Sequence, residues 1–254
     1  MKIDSHLHLN YKKYKKIDES FSALSIELDN SGFEKAVVIH MLNEPWSIDE
    51  FGNEINKYGN LIGVVNIDPT NTIALKRANN AIDNYNYRGI KLHPRLHQYD
   101  LEDQKVYEFI KSISHHKVPI IIDAFPDGTY LMNGFSSLKY AKLAVNFPDV
   151  NFVWAHMGGF LSIEFMLLAK RLQNVFFDIS YSFLYFRESS LIKDMIYCFK
   201  SMKFERIFYG SDYPDRTILE TFNMTEEIMN QHKLNKFEIK KILYHNAQKF
   251  WFDE

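Results

Sequence analysis

Eight short runs rich in aliphatic and β-branched residues recur along the chain, each followed by a stretch that reads as helix. This alternation constrains the fold more than any other feature. The runs are Lys2–His8, Lys35–His40, Leu61–Ile67, Tyr87–His93, Val118–Phe125, Asn151–His156, Asn174–Ser180 and Arg206–Asp212. Several are apolar almost throughout, such as Lys35-Ala-Val-Val-Ile-His40 and Val118-Pro-Ile-Ile-Ile-Asp123. Runs of that kind suit parallel strands covered on both faces rather than strands with one wet face.

The intervening segments carry helix signals. Ser47 and Glu50 form a capping-box pattern. Val106, Phe109, Ile110 and Ile113 share one face of a helix expected from Asp103 to about His115. Further helices are expected at Ser162 to about Leu172, Thr217 to about Gln231 and Lys236 to about Trp251. Pro69, Pro119, Pro148 and Pro214 all fall at element edges, where a missing N–H is tolerated. Eight strand–helix units in 254 residues fit an α/β fold, a (β/α)₈ TIM barrel with a single domain over 1–254. A doubly wound open sheet uses the same alternation, but no glycine-rich nucleotide loop follows the first run. Neither a repeat nor a Pro/Gly/Ser-rich linker divides the chain.

Composition narrows the partners. Hydrophobic residues make up 46% and charged residues 24%, the balance of a globular protein. A formal net charge of -2 gives no electrostatic case for nucleic acid or an anionic membrane. The single cysteine excludes an internal disulfide framework and a cysteine-based zinc ribbon. The start MKIDSHLHLN lacks the apolar run of a secretory signal, and no stretch is apolar and long enough to span a bilayer. The expectation is a cytoplasmic protein with a small-molecule substrate, no nucleic-acid or membrane partner, and self-association left open.

The polar residues carry the function, because they stand where the runs end. In a barrel the C-terminal strand ends converge on one rim, and active sites are built there. In Ile3-Asp4-Ser5-His6-Leu7-His8, strand alternation points His6 and His8 to one side, as binding of one cation requires. Asp4 is expected on that face one step deeper, as a supporting partner. In Tyr209-Gly-Ser-Asp212-Tyr-Pro214, Gly210 permits close backbone approach, and Asp212 can bind a metal and take a proton from water. In Trp154-Ala-His156-Met-Gly158-Gly159, the paired glycines make a tight turn, and His156 can polarise a carbonyl or shuttle a proton. In Arg88-Gly-Ile-Lys91-Leu-His93-Pro94, Lys91 and His93 alternate to one face. A lysine below the rim needs a carboxylate partner, for which Asp4 or Asp123 is expected. Each motif alone has a blander reading, as a strand-edge histidine or a hydrogen-bonded turn aspartate. Their joint placement favours a site.

These motifs, with the closing Ile242-Leu…Asn246-Ala-Gln-Lys-Phe250, resemble the amidohydrolase superfamily, specifically its amidohydrolase-2 branch of metal-dependent hydrolases and decarboxylases. The resemblance spans nearly the whole chain. It implies one divalent metal ion held by His6 and His8 of strand one, a strand-five residue and Asp212 of strand eight, with His156 of strand six beside it. One departure is that the family's fifth strand usually ends in histidine, whereas here Asp123 occupies the place. With Asp123 as a ligand the set is His6, His8, Asp123 and Asp212. Zinc is the first expectation, with manganese or iron favoured by a second carboxylate.

The resulting expectation is a hydrolase of a small amide, ester or lactone that uses a metal-activated water, with Asp212 and His156 as catalytic groups. The same site could instead serve non-oxidative decarboxylation or another lyase reaction on a small carboxylic acid, or the barrel could bind without catalysis. Residues on the loops after the strands are expected to contact substrate: Lys91, His93 and Arg95 from the fourth unit, Tyr181 from the seventh and Arg216 from the eighth.

Overall fold

A computed structural model describes residues 1–253. Eight strands alternate with helices and lie side by side in chain order, every neighbouring pair parallel. They are β1 (Ile3–Leu7), β2 (Lys35–His40), β3 (Leu61–Ile67), β4 (Ile90–Leu92), β5 (Ile120–Asp123), β6 (Phe152–Ala155), β7 (Val175–Asp178) and β8 (Ile207–Phe208). Backbone bonds from Ser5 N to Tyr209 O (2.9 Å), Asp212 N to His6 O (2.9 Å) and His8 N to Tyr213 O (2.8 Å) join the first strand to the last. The chain is a single-domain (β/α)₈ TIM barrel, and its closing seam runs through the His6–His8 and Asp212 motifs.

The apolar runs divide into two layers by the strand period. Val37, Ile39, Ile62, Val64, Ile121, Val153 and Phe208 form one buried cluster with Ala247 and Trp251 of the C-terminal segment. The alternate residues, among them Val38, Leu92, Ile122, Trp154 and Phe177, pack in a second cluster with helix residues such as Phe21, Val106, Phe165 and Phe199. Both faces of each strand are thus covered, which explains why the sequence shows runs rather than alternation.

The expected helices form with small changes. Ser47 caps Ile48–Ile55 in a complete capping box with Glu50. Asp103 caps Gln104–Ile113, and Thr217 caps Ile218–Gln231. The segment read as one helix from Lys236 to Trp251 is α-helical over Lys236–Lys240 and again at Asn246 and Ala247, with π-helical turns at Lys241–His245 and Gln248–Phe252. The wider turns carry Ile242 and Trp251, and Ala247 between them, to buried positions against the barrel.

The strands stop short of the sequence runs at the rim. The run to Asp212 yields a two-residue β8, and the run to His156 ends at Ala155. At β6 the reason is backbone conformation: His156 (φ 60) takes a left-handed φ, which leaves the strand ladder, and Asp212 (φ 56) takes the same conformation at the end of its own run. Non-glycine residues in that region cost of order 1–3 kcal/mol each and are held by their surroundings, often at functional sites. No helix among the described residues is long and apolar enough to cross a membrane.

Candidate metal centre and cavity

The seam sets the geometry of the centre. Pairing of β1 with β2 aligns Asp4 with Ala36 and Leu7 with Val38, so a bulge lies between Asp4 and Leu7. Bulges re-aim side chains beside active sites. Gly210 makes the approach of β8 to β1 feasible: a Cβ there would lie 2.7 Å from His6 Cβ and 3.0 Å from Ser180 Cβ. Asp4 Oδ1 accepts from His6 N at 3.1 Å and Ser211 N at 3.0 Å. Asp4 therefore ties the seam backbone and contacts neither imidazole, in contrast to the supporting role expected from simple alternation.

Among the described residues, His6, His8 and Asp212 each offer a ligand atom within 4.8 Å of the others. Asp212 Oδ1 lies 3.7 Å from His6 Nε2 and 3.5 Å from His8 Nε2. The far side of each ring is pinned by an acceptor. His6 Nδ1 donates to Asp178 Oδ2 at 3.0 Å, and His8 Nδ1 donates to the Ile39 carbonyl at 3.0 Å. Both tautomers are thereby set with the proton on Nδ1 and the Nε2 lone pair facing the shared point. Burial, reinforced by Lys91, lowers the His6 pKa to about 4 against the pull of Asp178 and Asp212, which leaves the ring neutral, the form a cation needs. Burial raises the pKa of Asp212, but His8, His6 and His156 override it and hold the carboxylate well below its usual range. Two imidazoles and one carboxylate aimed at one point fit a divalent cation in chemistry and orientation.

Asp178, which closes β7, is the functional residue the sequence reading passed over. It is buried, accepts from His6 Nδ1, His156 N (3.2 Å) and Ser180 N (3.1 Å), and is also bonded by Ser180 Oγ. The signal was available, since Asp178 stands at a strand end like the other rim residues, inside a run already recognised as strand. Asp178→Asn puts an amide where His6 needs an anionic acceptor. The expected result is metal affinity weakened about 10–100-fold, the usual cost of losing such a partner. A chelator-competition titration measures it, and a change under threefold would remove Asp178 from the account.

His156 packs 5.2 Å from His6, ring centre to ring centre. Its Nδ1 meets the Ser180 carbonyl at 3.0 Å and its Nε2 meets Asp123 Oδ1 at 3.2 Å. Burial lowers its pKa, but the Asp123 carboxylate outweighs burial and raises it overall. Gly158 makes the turn beyond the strand feasible: its φ is +71, and a Cβ would lie 2.2 Å from the Phe165 ring.

A cavity of about 420 Å³ opens on this centre, lined by His6, His8, Lys91, His93, Arg95, His156 and Asp212 among others. Lys91 is buried and makes no ion pair within 4 Å among the described residues; the partner expected in Asp4 or Asp123 is absent. Burial lowers its pKa, opposed by the fields of Asp123, Asp178 and Asp212. Arg95, expected to await a substrate carboxylate, is engaged with Asp123 and Asp127. Tyr181 and Arg216 lie elsewhere, in a neighbouring cavity of about 170 Å³ that shares Asp212 and Asp215 with the first. There Tyr181 stacks on Tyr185 at 5.3 Å, and Arg216 pairs with Glu220 at 3.0 Å.

Glu44, in the wall of the larger cavity, has a buried carboxyl with no hydrogen-bond partner. Burial pushes its pKa up to about 8. An acid whose folded pKa exceeds its unfolded value holds a proton that the unfolded chain has released. Its contribution to stability is therefore intact below about pH 4.5 and lost as pH rises toward about 8. Glu44→Gln should remove that loss, on the order of a few kcal/mol at pH 8. Melting curves should show wild type falling several degrees between pH 6 and 8.5 while the variant falls less. Parallel declines would show that Glu44 does not titrate in this window.

Comparison with known proteins follows the same lines. Among curated proteins, no sequence matches the chain. Solved structures share the fold. An uncharacterised TIM-barrel protein from Bordetella bronchiseptica is 18% identical, covering 98% of this chain and 97% of that chain at a TM-score of 0.79. A probable 2-pyrone-4,6-dicarboxylic acid hydrolase from Acinetobacter baumannii, with citric acid bound, is 16% identical, covering 98% of both chains at 0.71. A 5-carboxyvanillate decarboxylase from Novosphingobium aromaticivorans, complexed with manganese and 4-hydroxy-3-methoxy-5-nitrobenzoic acid, is 12% identical, covering 98% and 95% at 0.67. The sequence pattern of the amidohydrolase family matches residues 3–252, from the first residue of β1 to the last π-helical turn. The match takes in every strand that builds the rim, and the chain belongs to the amidohydrolase family.

Proposed function

We propose that the chain is a metal-dependent hydrolase of a small amide, ester or lactone, with His6, His8 and Asp212 as the residues that hold the cation. A divalent ion in such a place supplies Lewis-acid polarisation and brings the pKa of water toward about 7. Zinc, manganese and iron all suit two imidazoles and a carboxylate. The observation that carries the reading is the pair of pinned imidazoles, whose free Nε2 atoms and Asp212 Oδ1 meet at one point beside the cavity.

The chain's own groups divide the remaining work. Asp212, held ionised, is the base that takes a proton from the attacking water and returns it to the leaving group. His156 has both ring nitrogens engaged, by Ser180 on one side and Asp123 on the other, and is proposed to act on negative charge developing on the carbonyl oxygen through its charge and not through a direct hydrogen bond. Lys91 and His93 face the same cavity and are proposed to contact substrate. Arg95 closes one side of that cavity, whereas Tyr181 and Arg216 are proposed to contact only a substrate that reaches past Asp212.

One observation favours a second reaction. The unpaired ammonium of Lys91 is suited to a substrate carboxylate, which a decarboxylase would require. Metal-replete protein assayed against small lactones, amides, esters and aromatic carboxylates separates the readings. Hydrolysis products without carbon dioxide support the hydrolase, and carbon dioxide without net hydrolysis supports the lyase. Ligand binding with no turnover across the panel would leave a non-catalytic binding barrel.

A further inference from the structure

The strand-five position offers a carboxylate of the right type for a metal ligand, yet its surroundings differ from those of the three clustered donors. Asp123 is fully buried, and Arg95 holds it with a two-pronged fork: Nε to Oδ2 at 3.1 Å and Nη2 to Oδ1 at 3.2 Å. Arg95 is itself fastened on its other side, with Nη1 donating to Asp127 Oδ2 at 2.8 Å. His156 Nε2 stands 3.2 Å from Asp123 Oδ1, and His93 Nε2 stands 3.6 Å from the same oxygen. His93 Nδ1 accepts from Leu96 N, so its proton is on Nε2 and faces Asp123. The two carboxylate oxygens thus face N–H groups from three residues.

A bidentate guanidinium–carboxylate pair is among the strongest polar contacts in proteins. To ligate a cation, Asp123 would have to give up part of that fork and bring a divalent charge close to a fixed guanidinium. In a buried site that repulsion is poorly screened. We infer that the Arg95–Asp123 pair takes the strand-five position out of the metal's ligand set, leaving His6, His8 and Asp212 as the whole protein contribution and making Asp123 a positioning residue for His156. The three-residue set carries one formal negative charge instead of two. That preserves the cation's Lewis acidity and leaves more of its coordination open to the cavity. Asp123 and the Ser180 carbonyl grip opposite nitrogens of the His156 ring and fix its face toward His6.

This inference rests on the metal-centre reading above, and its test keeps the two apart. Wild type and Asp123→Asn are titrated with zinc against a competing chelator, then loaded with cobalt(II) for visible spectroscopy. The expected result is zinc affinity within threefold of wild type and an unchanged cobalt spectrum. Nitrogen-15 resonances of the His156 ring should move while those of His6 and His8 stay. Affinity weakened more than tenfold with an altered cobalt spectrum would overturn the inference while leaving the metal centre standing. A wild type that binds no cation would overturn both. If Asp123→Asn fails to fold, the paired variant Arg95→Met/Asp123→Leu removes both charges together and leaves neither buried alone. It takes the same zinc and cobalt measurements and the same criteria.

Discussion

Asp212→Asn, assayed with saturating divalent cation, is expected to lower kcat by about 10²–10⁴-fold, the range that proton transfer by a positioned side chain supplies. The seam bond from Asp212 N to the His6 carbonyl and the left-handed backbone at Asp212 do not depend on the carboxylate's charge, so the fold should survive. An amide still presents a carbonyl oxygen toward His6 and His8, so a saturated site stays occupied at little cost in metal content. What disappears is the anionic acceptor for the water's proton, a carboxylate that its three imidazole neighbours keep ionised. KM should move far less than kcat, because the lost interaction belongs to the transition state. A variant that keeps a third or more of wild-type kcat would remove Asp212 as the base.

The second large effect is expected from His8→Ala. His8 is held by a single contact on its far nitrogen, the Ile39 carbonyl, and its Nε2 faces Asp212 at 3.5 Å. Truncation takes away one of three donors, which should weaken metal binding beyond the roughly 10–100-fold typical of an outer partner. Activity should fall at least about 10³-fold at low micromolar cation and recover in part at millimolar cation. His8 lies at the rim rather than in the packed layers, so the melting temperature of metal-free protein should change little. Full activity in the presence of a strong chelator would contradict this prediction for wild type and variant alike.

The barrel was legible because covering both faces of a parallel strand forces an apolar run, and eight such runs were countable. The positions of His6, His8, Asp212 and His156 were legible for a related reason, since strand ends in a barrel share a rim. What strand alternation does not encode is where the ladder breaks. The bulge after Asp4 breaks the simple alternation that placed it beside His6, and its carboxylate ties the seam backbone. The left-handed residue His156 ends β6 one residue before its run does. Pairing across the rim was also invisible, because it depends on side-chain reach between distant loops. Arg95 meets Asp123 and Asp127 rather than solvent, and Lys91 is left without the carboxylate expected for it. Asp178 stands at a strand end like the other rim residues, but no glycine or second histidine beside it marks a site in the sequence.

The most direct test of the account is the metal content of the purified chain. Protein prepared without added metal, then given one equivalent of zinc or manganese and desalted, should retain close to one divalent ion per chain. His8→Ala and Asp212→Ala, treated identically, should retain much less. Fewer than roughly 0.2 ions per wild-type chain, or equal retention by wild type and both variants, would show that His6, His8 and Asp212 do not form a metal centre.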